Sequence, residues 1–264
     1  MNEISVKTVE EEIQVSIDAV DFVFKKIKAG TFTMGAPHFR HDAFPSHNVT
    51  ISHDYWVQET LLTQQQWRVL KGKPIEEMLA ESEFSEFNGI GDDYPIYLLT
   101  WHEAKQACQT LSDFLVDTNL QCTLATEAEW EFACGAGTYQ PYSFGDALDG
   151  SQANCNGQFP YGQLLGGAYR GTTTPVKTFL PNQNGLYDMH GNLWEWCEDW
   201  YDESYYAVSP SVDPPGPKCG LRKVVRGGSW RSHAECCRTA FRDSDLQDYR
   251  GRTSGVRLVL RERS

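Results

Sequence analysis

Two adjacent cysteines, Cys236 and Cys237, lie in the stretch VVRGGSWRSHAECCRTAFRDSD, so thiol chemistry is the first possibility that the sequence raises. His233 precedes Cys237 by four residues, a spacing at which an imidazole could activate a cysteine nucleophile. We favour the alternative, in which Cys237 is a small buried packing residue and His233 is a surface side chain. Vicinal disulfides are strained and rare, so adjacency alone does not predict a bond between Cys236 and Cys237.

The other cysteines form no recognisable metal motif. The chain holds 8 cysteines but no CxxC pair, so a zinc knuckle is not supported. They stand at Cys108, Cys122, Cys134, Cys155, Cys197, Cys219, Cys236 and Cys237. The default expectation is a set of small buried thiols with one or two exposed ones, which leaves the redox compartment open.

Charge and length exclude two classes of protein. The net charge of −13 over 264 residues gives an acidic surface that repels phosphate backbones, so nucleic-acid binding is not expected. No apolar run is long enough to span a bilayer, and the first residues lack the apolar core of a signal peptide. The chain as given is therefore expected to be soluble, with a removed leader or lipid anchor left as an open alternative.

Hydrophobic periodicity predicts a few short strands. Apolar side chains alternate on either side of a turn at Ala29-Gly30 and again in HNVTISHDYWVQE. KVVRGGSW and GVRLVL are the clearest strands late in the chain. Residues 1–20 are polar and predict an N-terminal arm, and residues 21–264 predict a single domain because no repeat or low-complexity linker divides them.

Capping signals predict the helices. Thr63 precedes a short helix in TQQQWRVLKG, and Thr100 with Glu103 forms a capping box before a longer one. Thr126 with Glu129 forms the same box before a further helix. Residues 72–96 predict an acidic loop, and residues 138–220 predict a long irregular segment rich in Gly, Asn, Pro and aromatic residues.

Six motifs occur in order between about residues 22 and 260: AGTFTMG, PIYLLTWHEAKQAC, LATEAEWEFACGAG, NGLYDMHGNLWEWCEDW, RGGSW and GVRLV. Together they resemble the formylglycine-generating-enzyme/sulfatase-modifying-factor family, with mild departures at Ala125 and Val256, where the family usually has Pro and Phe. The resemblance implies an α+β, C-type-lectin-like fold of the formylglycine-generating-enzyme type. Such a fold has small twisted antiparallel sheets, two helices and much irregular coil.

The oxidases of that family use two cysteines five residues apart, which follow the Gly-Gly-Ser-aromatic element and bind copper. In this sequence the first position is Ser232 and the second is Cys237. A hydroxyl is a hard, poor ligand for Cu(I), so the pair is broken. Cys236 points away from Cys237 in an extended chain and does not repair it. A metal-dependent oxidase is therefore the alternative rather than the favoured function.

Segment 231–254 is similar to that of another branch, the variable proteins of diversity-generating retroelements, which include a treponemal member. Their variable positions derive from adenine-mutated Asn-type codons, which cannot yield Lys, Glu, Gln, Met or Trp. Between residues 231 and 254 only Glu235 and Gln247 lie outside the permitted set. The alternative is an ordinary polar loop of biased composition.

This similarity implies a recognition surface on a fixed framework. The framework residues would be Ala234, Cys237, Arg238, Ala240 and Arg242. Aromatic and Arg anchors with adaptable polar neighbours suit such a surface. The predicted ligand-binding residues are Arg231, Ser232, His233, Glu235, Cys236, Thr239, Phe241, Asp243, Ser244, Asp245, Tyr249 and Arg252.

The resemblance also implies a structural calcium ion. Asp188 and Glu195 would give side-chain oxygens, and Gly191 and Leu193 backbone oxygens, which suit a hard cation. The alternative is that the two carboxylates cap turns and pair with arginines. No organic cofactor is expected.

Taken together, these patterns predict a non-enzymatic, receptor-like protein that binds an unknown protein or surface ligand through residues 231–254. By analogy with such receptors, the expected location is the bacterial cell surface, through a leader or lipid anchor, and the cytoplasm is the alternative.

Overall fold

The computed structural model describes residues 3–37, 41–70, 72–84 and 89–263. Within them the strands are β1 (Ile4–Val9), β2 (Glu12–Ile17), β3 (Val20–Ile27), β4 (Gly30–Met34), β5 (His47–Ile51), β6 (Tyr55–Gln58), β7 (Leu120–Leu124), β8 (Trp194–Trp200), β9 (Lys223–Arg226), β10 (Asp243–Asp245), β11 (Ser254–Gly255) and β12 (Leu258–Glu262). The α-helices are α1 (Gln64–Val69), α2 (Ile75–Ala80), α3 (Trp101–Phe114) and α4 (Glu127–Gly135). Together they confirm the predicted α+β class.

The largest sheet is antiparallel and has the strand order β1-β2-β3-β6-β12-β7. Alternate residues of β2 and β3 are buried, as expected for strands that cover a core with one face. Strand β12 lies between β6 and β7, and its Leu258, Val259 and Leu260 are all fully buried. The predicted GVRLVL strand is therefore a central element of the fold.

Two smaller sheets complete the architecture. One has the order β10-β9-β8-β11 and carries segment 231–254, because β10 and β11 both belong to that segment. Strands β10 and β9 pair antiparallel, but β11 runs parallel to β8, which departs from the all-antiparallel expectation. The other sheet pairs β4 with β5, so the two strands predicted around Ala29-Gly30 belong to different sheets.

The helix caps are confirmed. The side chains of Thr63, Thr100 and Thr126 each accept a hydrogen bond from the backbone N–H three residues on. In return, the side-chain oxygens of Gln66, Glu103 and Glu129 accept one from the backbone N–H of the cap residue. Helix α3 buries Ala104, Ala107, Cys108 and Leu111, which share one face of the helix, in the core that the large sheet covers. Among the described residues no helix combines the length and apolarity needed to cross a bilayer.

Two predicted irregular segments contain regular structure. Residues 1–20 were expected to form an arm, but β1 and β2 pair in a hairpin that extends the large sheet. Ile13, Val15 and Ile17 of β2 are buried, and their alternation with polar residues is a strand signal. Residues 72–96 were expected to be a loop, but α2 lies within them and buries Ile75, Met78 and Leu79.

Indole groups anchor the irregular part of the chain. The indole N–H of Trp196 donates to the carbonyl of Leu99 at 3.3 Å, and that of Trp230 donates to the carbonyl of Arg252 at 3.2 Å. Trp196 is 1% exposed and Trp230 is 4% exposed. Large rings with satisfied N–H groups therefore stabilise a segment that has few backbone ladders.

Candidate ligand-binding surface

Segment 231–254 begins at a turn that only glycine can form. Gly227 and Gly228 follow β9 with φ values of 92° and 77°. A Cβ at Gly228 would lie 2.5 Å from Cys237 Sγ, so no side chain fits there. The turn redirects the chain after β9 and so sets the position of residue 231, the first residue of the segment.

The framework residues of the segment are buried. Ala234, Cys237 and Arg242 are fully buried, and Arg238 and Ala240 are each 9% exposed. A short 3-10 helix, Ala234–Cys237, turns the first two of these inward. This burial agrees with the predicted framework.

Most of the predicted ligand-binding residues lie at the surface. The exposed ones are Arg231, His233, Glu235, Asp243 and Tyr249. The half-buried ones are Ser232, Cys236, Ser244, Asp245 and Arg252. Ten of the twelve predicted side chains are therefore at least partly accessible.

Thr239 and Phe241 are corrections, because both are buried. The Phe241 ring is 5% exposed and packs against Trp194 with the ring centroids 6.0 Å apart. The Thr239 amide donates to the carbonyl of Pro141 at 2.8 Å, and its own carbonyl accepts from Arg226 at 2.7 Å. Phe241 therefore belongs to the core, and the Thr239 side chain is too little exposed to form much of a contact face.

A buried ionic network holds the segment to helix α4. Glu127 accepts hydrogen bonds from Arg226 at 3.1 Å and from Arg242 at 2.6 and 2.8 Å. Arg226 also pairs with Glu131, and Arg242 donates to the carbonyl of Asp42 at 2.6 Å. Burial opposes ionisation of Glu127, but the two guanidinium groups outweigh it and hold its pKa below the usual value. Two carboxyl groups therefore face two guanidinium groups in the interior.

A loop that the sequence did not point to also contributes to the surface. Phe159 is 51% exposed and stacks on His233 with the ring centroids 4.0 Å apart. Asn156 N–H donates to the carbonyl of Ser232 at 2.8 Å, and Ala234 N–H donates to the carbonyl of Phe159 at 3.1 Å. The loop and the first part of segment 231–254 thus form one face. Exposed aromatic residues in the long irregular segment are the sequence signal that could have suggested it.

The second part of the segment has aromatic neighbours as well. Arg252 lies over the Phe84 ring, 4.9 Å from its centroid, and Trp230 stacks with Tyr169 at 6.4 Å. Tyr169 and Tyr249 are 41% and 40% exposed. Arg and aromatic side chains at the rim are the residue types that dominate recognition surfaces.

The geometry does not support a cysteine nucleophile activated by His233. The Cys237 thiol contacts the backbone carbonyl of His233 at 3.8 Å rather than its imidazole, which stacks on Phe159. A hydrogen bond to Cys155 and burial both raise the pKa of Cys237 well above its usual value. The Ser232 hydroxyl lies 3.0 Å from that of Ser229, so the positions that match the oxidase copper pair present one thiol and one engaged hydroxyl. That set does not fit Cu(I).

The predicted calcium ligands do not fit the ion in this arrangement. Glu195 Oε1 accepts from Arg257 at 2.7 and 3.1 Å, and Oε2 accepts from Arg257 at 2.9 Å and from Trp130 at 2.8 Å. Both oxygens therefore already have two donors each, the arginine pairing that the sequence left as the alternative. Asp188 accepts from the amide of Lys177 at 3.1 Å, and burial raises its pKa to about 6. Gly191 and Leu193 are backbone ligands only, and in the described ranges no three His, Cys, Asp or Glu side chains form a metal cluster.

We therefore expect calcium to leave the stability of the protein unchanged. An ion that bound only the folded chain would raise the melting temperature as its concentration rose. Thermal unfolding in 5 mM calcium and in chelator should give the same melting temperature to within about 1 °C. A rise of several degrees in calcium that disappears in Asp188→Asn would show that the site binds the ion after rearrangement of Glu195.

A buried histidine ties the segment to the irregular loop and makes the fold sensitive to acid. His190 Nδ1 lies 2.8 Å from the carbonyl of Cys237, and its Nε2 lies 3.0 Å from the amide nitrogen of Ser143. The first contact requires a proton on Nδ1 and the second requires none on Nε2. Burial lowers the pKa of His190 from 6.5 to about 4, so the ring is neutral in the folded chain.

The stability that neutral His190 contributes should therefore fall as pH falls from about 6.5 towards 4, because the unfolded chain binds the proton first. This contribution falls by about 2 kcal/mol between pH 7 and pH 5. It is measured as a difference between two proteins, because burial raises the pKa of Asp199 to about 8 and that of Asp188 to about 6, and both carboxyls favour the folded chain as pH falls. Chemical denaturation at both pH values should show a change that is less favourable to folding, by about that amount, in the unsubstituted protein than in His190→Gln. An equal change in both proteins would contradict the assignment.

Comparison with known proteins agrees with this fold. The sequence profile of the sulfatase-modifying factor enzyme 1-like domain matches residues 17–262. The formylglycine-generating enzyme of Streptomyces coelicolor is 36% identical over 175 residues, which are 63% of this chain and 52% of that protein. A Chlamydia caviae protein named serine/threonine-protein kinase pkn1 is 31% identical over 267 residues, 94% of this chain and 39% of that protein. The chain thus spans about half or less of these relatives.

Solved structures show the same architecture. Treponema denticola variable protein 1 superposes with a TM-score of 0.76 and 25% identity, over 97% of this chain and 98% of that one. PvdO from Pseudomonas aeruginosa superposes with a TM-score of 0.69 and 24% identity, over 90% of this chain and 94% of that one, which shows a shared fold. With a matching profile over almost its full length, the chain belongs to the sulfatase-modifying factor enzyme 1-like domain family.

Proposed function

We propose that this protein is a non-enzymatic, receptor-like ligand-binding protein that presents a diversified surface at residues 231–254. One observation carries the proposal: the residues that match the family motif are buried, while most of those between them are at least partly exposed. A surface of this kind can change its side chains without changing its core. Similarity to Treponema denticola variable protein 1 over 97% of the chain supports the same function.

The expected ligand is a protein or another surface molecule, because the face is broad and carries Arg and aromatic side chains rather than a deep polar cavity. Phe159 and Tyr169 from the neighbouring loop extend the area available for contact. We propose the bacterial cell surface as its location, by analogy with such receptors. Diversified positions would give each sequence variant its own ligand. The shared scaffold would then define a class of binding proteins rather than specificity for one ligand.

The genomic surroundings test the diversification directly. If segment 231–254 is diversified, an adenine-rich near-copy of its coding stretch should lie beside a reverse-transcriptase gene. Mismatches between the two copies should fall on adenines and on codons of exposed residues such as Arg231 and His233. A locus without such a copy in the source genome would refute diversification.

A second candidate function, metal-dependent oxidation, is favoured by one observation. Cys155 supplies a second thiol beside Cys237, although Ser232 occupies the position of the missing copper ligand. Incubation with copper, oxygen and a cysteine-containing peptide would form an aldehyde if the protein were such an enzyme. We expect no aldehyde, and stoichiometric aldehyde formation that is lost in Cys237→Ser would establish the enzyme instead.

A further inference from the structure

Two buried thiols connect the irregular loop to segment 231–254. Cys155 and Cys237 are both fully buried and pack together. They belong to one small apolar cluster with Tyr142, Leu148 and Ala153, separate from the two larger cores. The sequence does not predict this pairing, because the two cysteines are about 80 positions apart and no periodic pattern connects them.

The backbone holds the two cysteines in place from both sides. Asn156 forms a parallel bridge with His233, and its amide donates to the carbonyl of Ser232 at 2.8 Å. On the side of Cys237, Gly228 has no side chain, and Cys237 Sγ occupies the space that a Cβ there would need. Backbones held together beside two clustered thiols favour a disulfide, because its sulfurs must meet with little backbone movement.

We propose that Cys155 and Cys237 form a redox-active dithiol that closes to a disulfide and fastens the loop to segment 231–254. The inference concerns the two sulfurs and does not depend on the ligand-binding proposal. The small cluster lies beneath an irregular loop, where local opening costs less than opening of the main core. Such local opening would admit a small oxidant such as hydrogen peroxide to the pair.

Cys155 is the sulfur that reacts first. The hydrogen bond from Cys237 lowers the pKa of Cys155, and Arg170 adds to this effect, while burial opposes it. The Cys155 thiolate attacks a peroxide oxygen, the O–O bond breaks, and water leaves with the proton that Cys155 releases. The Cys155 sulfenic acid is then attacked by the Cys237 sulfur, which forms the S–S bond and displaces a second water. Two thiols and one peroxide thus give one disulfide and two waters.

A second thiol pair provides an internal control. Cys108 on helix α3 and Cys122 on β7 are also buried together, but they lie in the largest core cluster. Burial raises the pKa of Cys122 well above its usual value, and the hydrogen bond to Cys108 adds to the rise. We expect this pair to stay reduced under conditions that oxidise Cys155 and Cys237.

The test treats the full chain with hydrogen peroxide, blocks remaining thiols under denaturing conditions and maps disulfides by mass spectrometry of a non-reducing digest. A Cys155–Cys237 peptide should be the main product, with two fewer free thiols among the 8. It should persist in Cys108→Ser and Cys236→Ser and be absent in Cys155→Ser. The oxidised protein should melt about 5 to 15 °C above the reduced one, and dithiothreitol should reverse the change.

Mapping of the unsubstituted protein decides the matter even if Cys155→Ser does not fold. The proposal is overturned if Cys155 and Cys237 remain free thiols while Cys219 or Cys236 is oxidised. It is equally overturned if the main disulfide joins Cys236 to Cys237 or Cys108 to Cys122.

Discussion

Replacing Glu127 with alanine is expected to lower the free energy of unfolding by about 3 to 5 kcal/mol. Glu127 is 2% exposed and pairs with both Arg226 and Arg242, which are themselves fully buried. Its removal takes away the carboxylate with which Arg242 pairs and leaves the Arg242 guanidinium hydrogen-bonded to the backbone carbonyls of Asp42 and Asp202. A buried charge without a counter-charge is one of the few single changes that can unfold a domain.

Urea denaturation of the two proteins measures the loss. The matched control is Glu81→Ala, which removes an exposed ion pair with Lys73 and should change stability by no more than about 1 kcal/mol. Equal small effects in both variants would show that the network contributes little to holding segment 231–254 on helix α4.

Replacing Phe241 with alanine is expected to cost about 3 to 5 kcal/mol as well, because it opens a cavity beside Trp194. Phe241 lies inside segment 231–254, so this variant separates core from surface within that segment. The loss would appear as a lower denaturation midpoint with an unchanged slope.

Leu246→Ala is the matched control, since Leu246 is an apolar residue of the same segment that is 51% exposed. We expect its effect to be within about 0.5 kcal/mol. If the Phe241→Ala protein were as stable as the Leu246→Ala protein, the assignment of Phe241 to the core would be wrong.

Local signals predicted the helices well. Each capping box pairs a threonine with Glu or Gln three residues later, and both hydrogen bonds form inside one turn of chain. Such a signal depends on no distant partner. Helix α2 was missed because Pro74 at its start offers no side-chain cap and the surrounding residues are acidic.

Long-range partners explain what the sequence could not show. Five successive residues of segment 231–254, from Arg238 to Arg242, are buried, so no alternation marks Thr239 and Phe241 as core. Their burial depends on Pro141 and Trp194, which are distant in sequence. Glu195 likewise matched a calcium ligand in the family motif. Only the structure shows that Arg257 donates hydrogen bonds to both of its carboxylate oxygens.

The contribution of the loop to the binding face has the same origin. The rings of Phe159 and His233 stack beside an isolated bridge between Asn156 and His233. No hydrophobic periodicity in either segment predicts this contact. By contrast, the burial of Ala234 and Cys237 followed from the motif alone.

Thermal unfolding of the triple variant Arg231→Ala, His233→Ala, Tyr249→Ala tests the central claim, that the exposed side chains of segment 231–254 can be exchanged on an independent scaffold. All three residues are exposed, and Phe241 is left in place because it belongs to the core. The melting temperature should stay within about 3 °C of the unsubstituted protein. A fall of more than about 10 °C would show that these side chains hold the fold together, and the receptor account would be wrong.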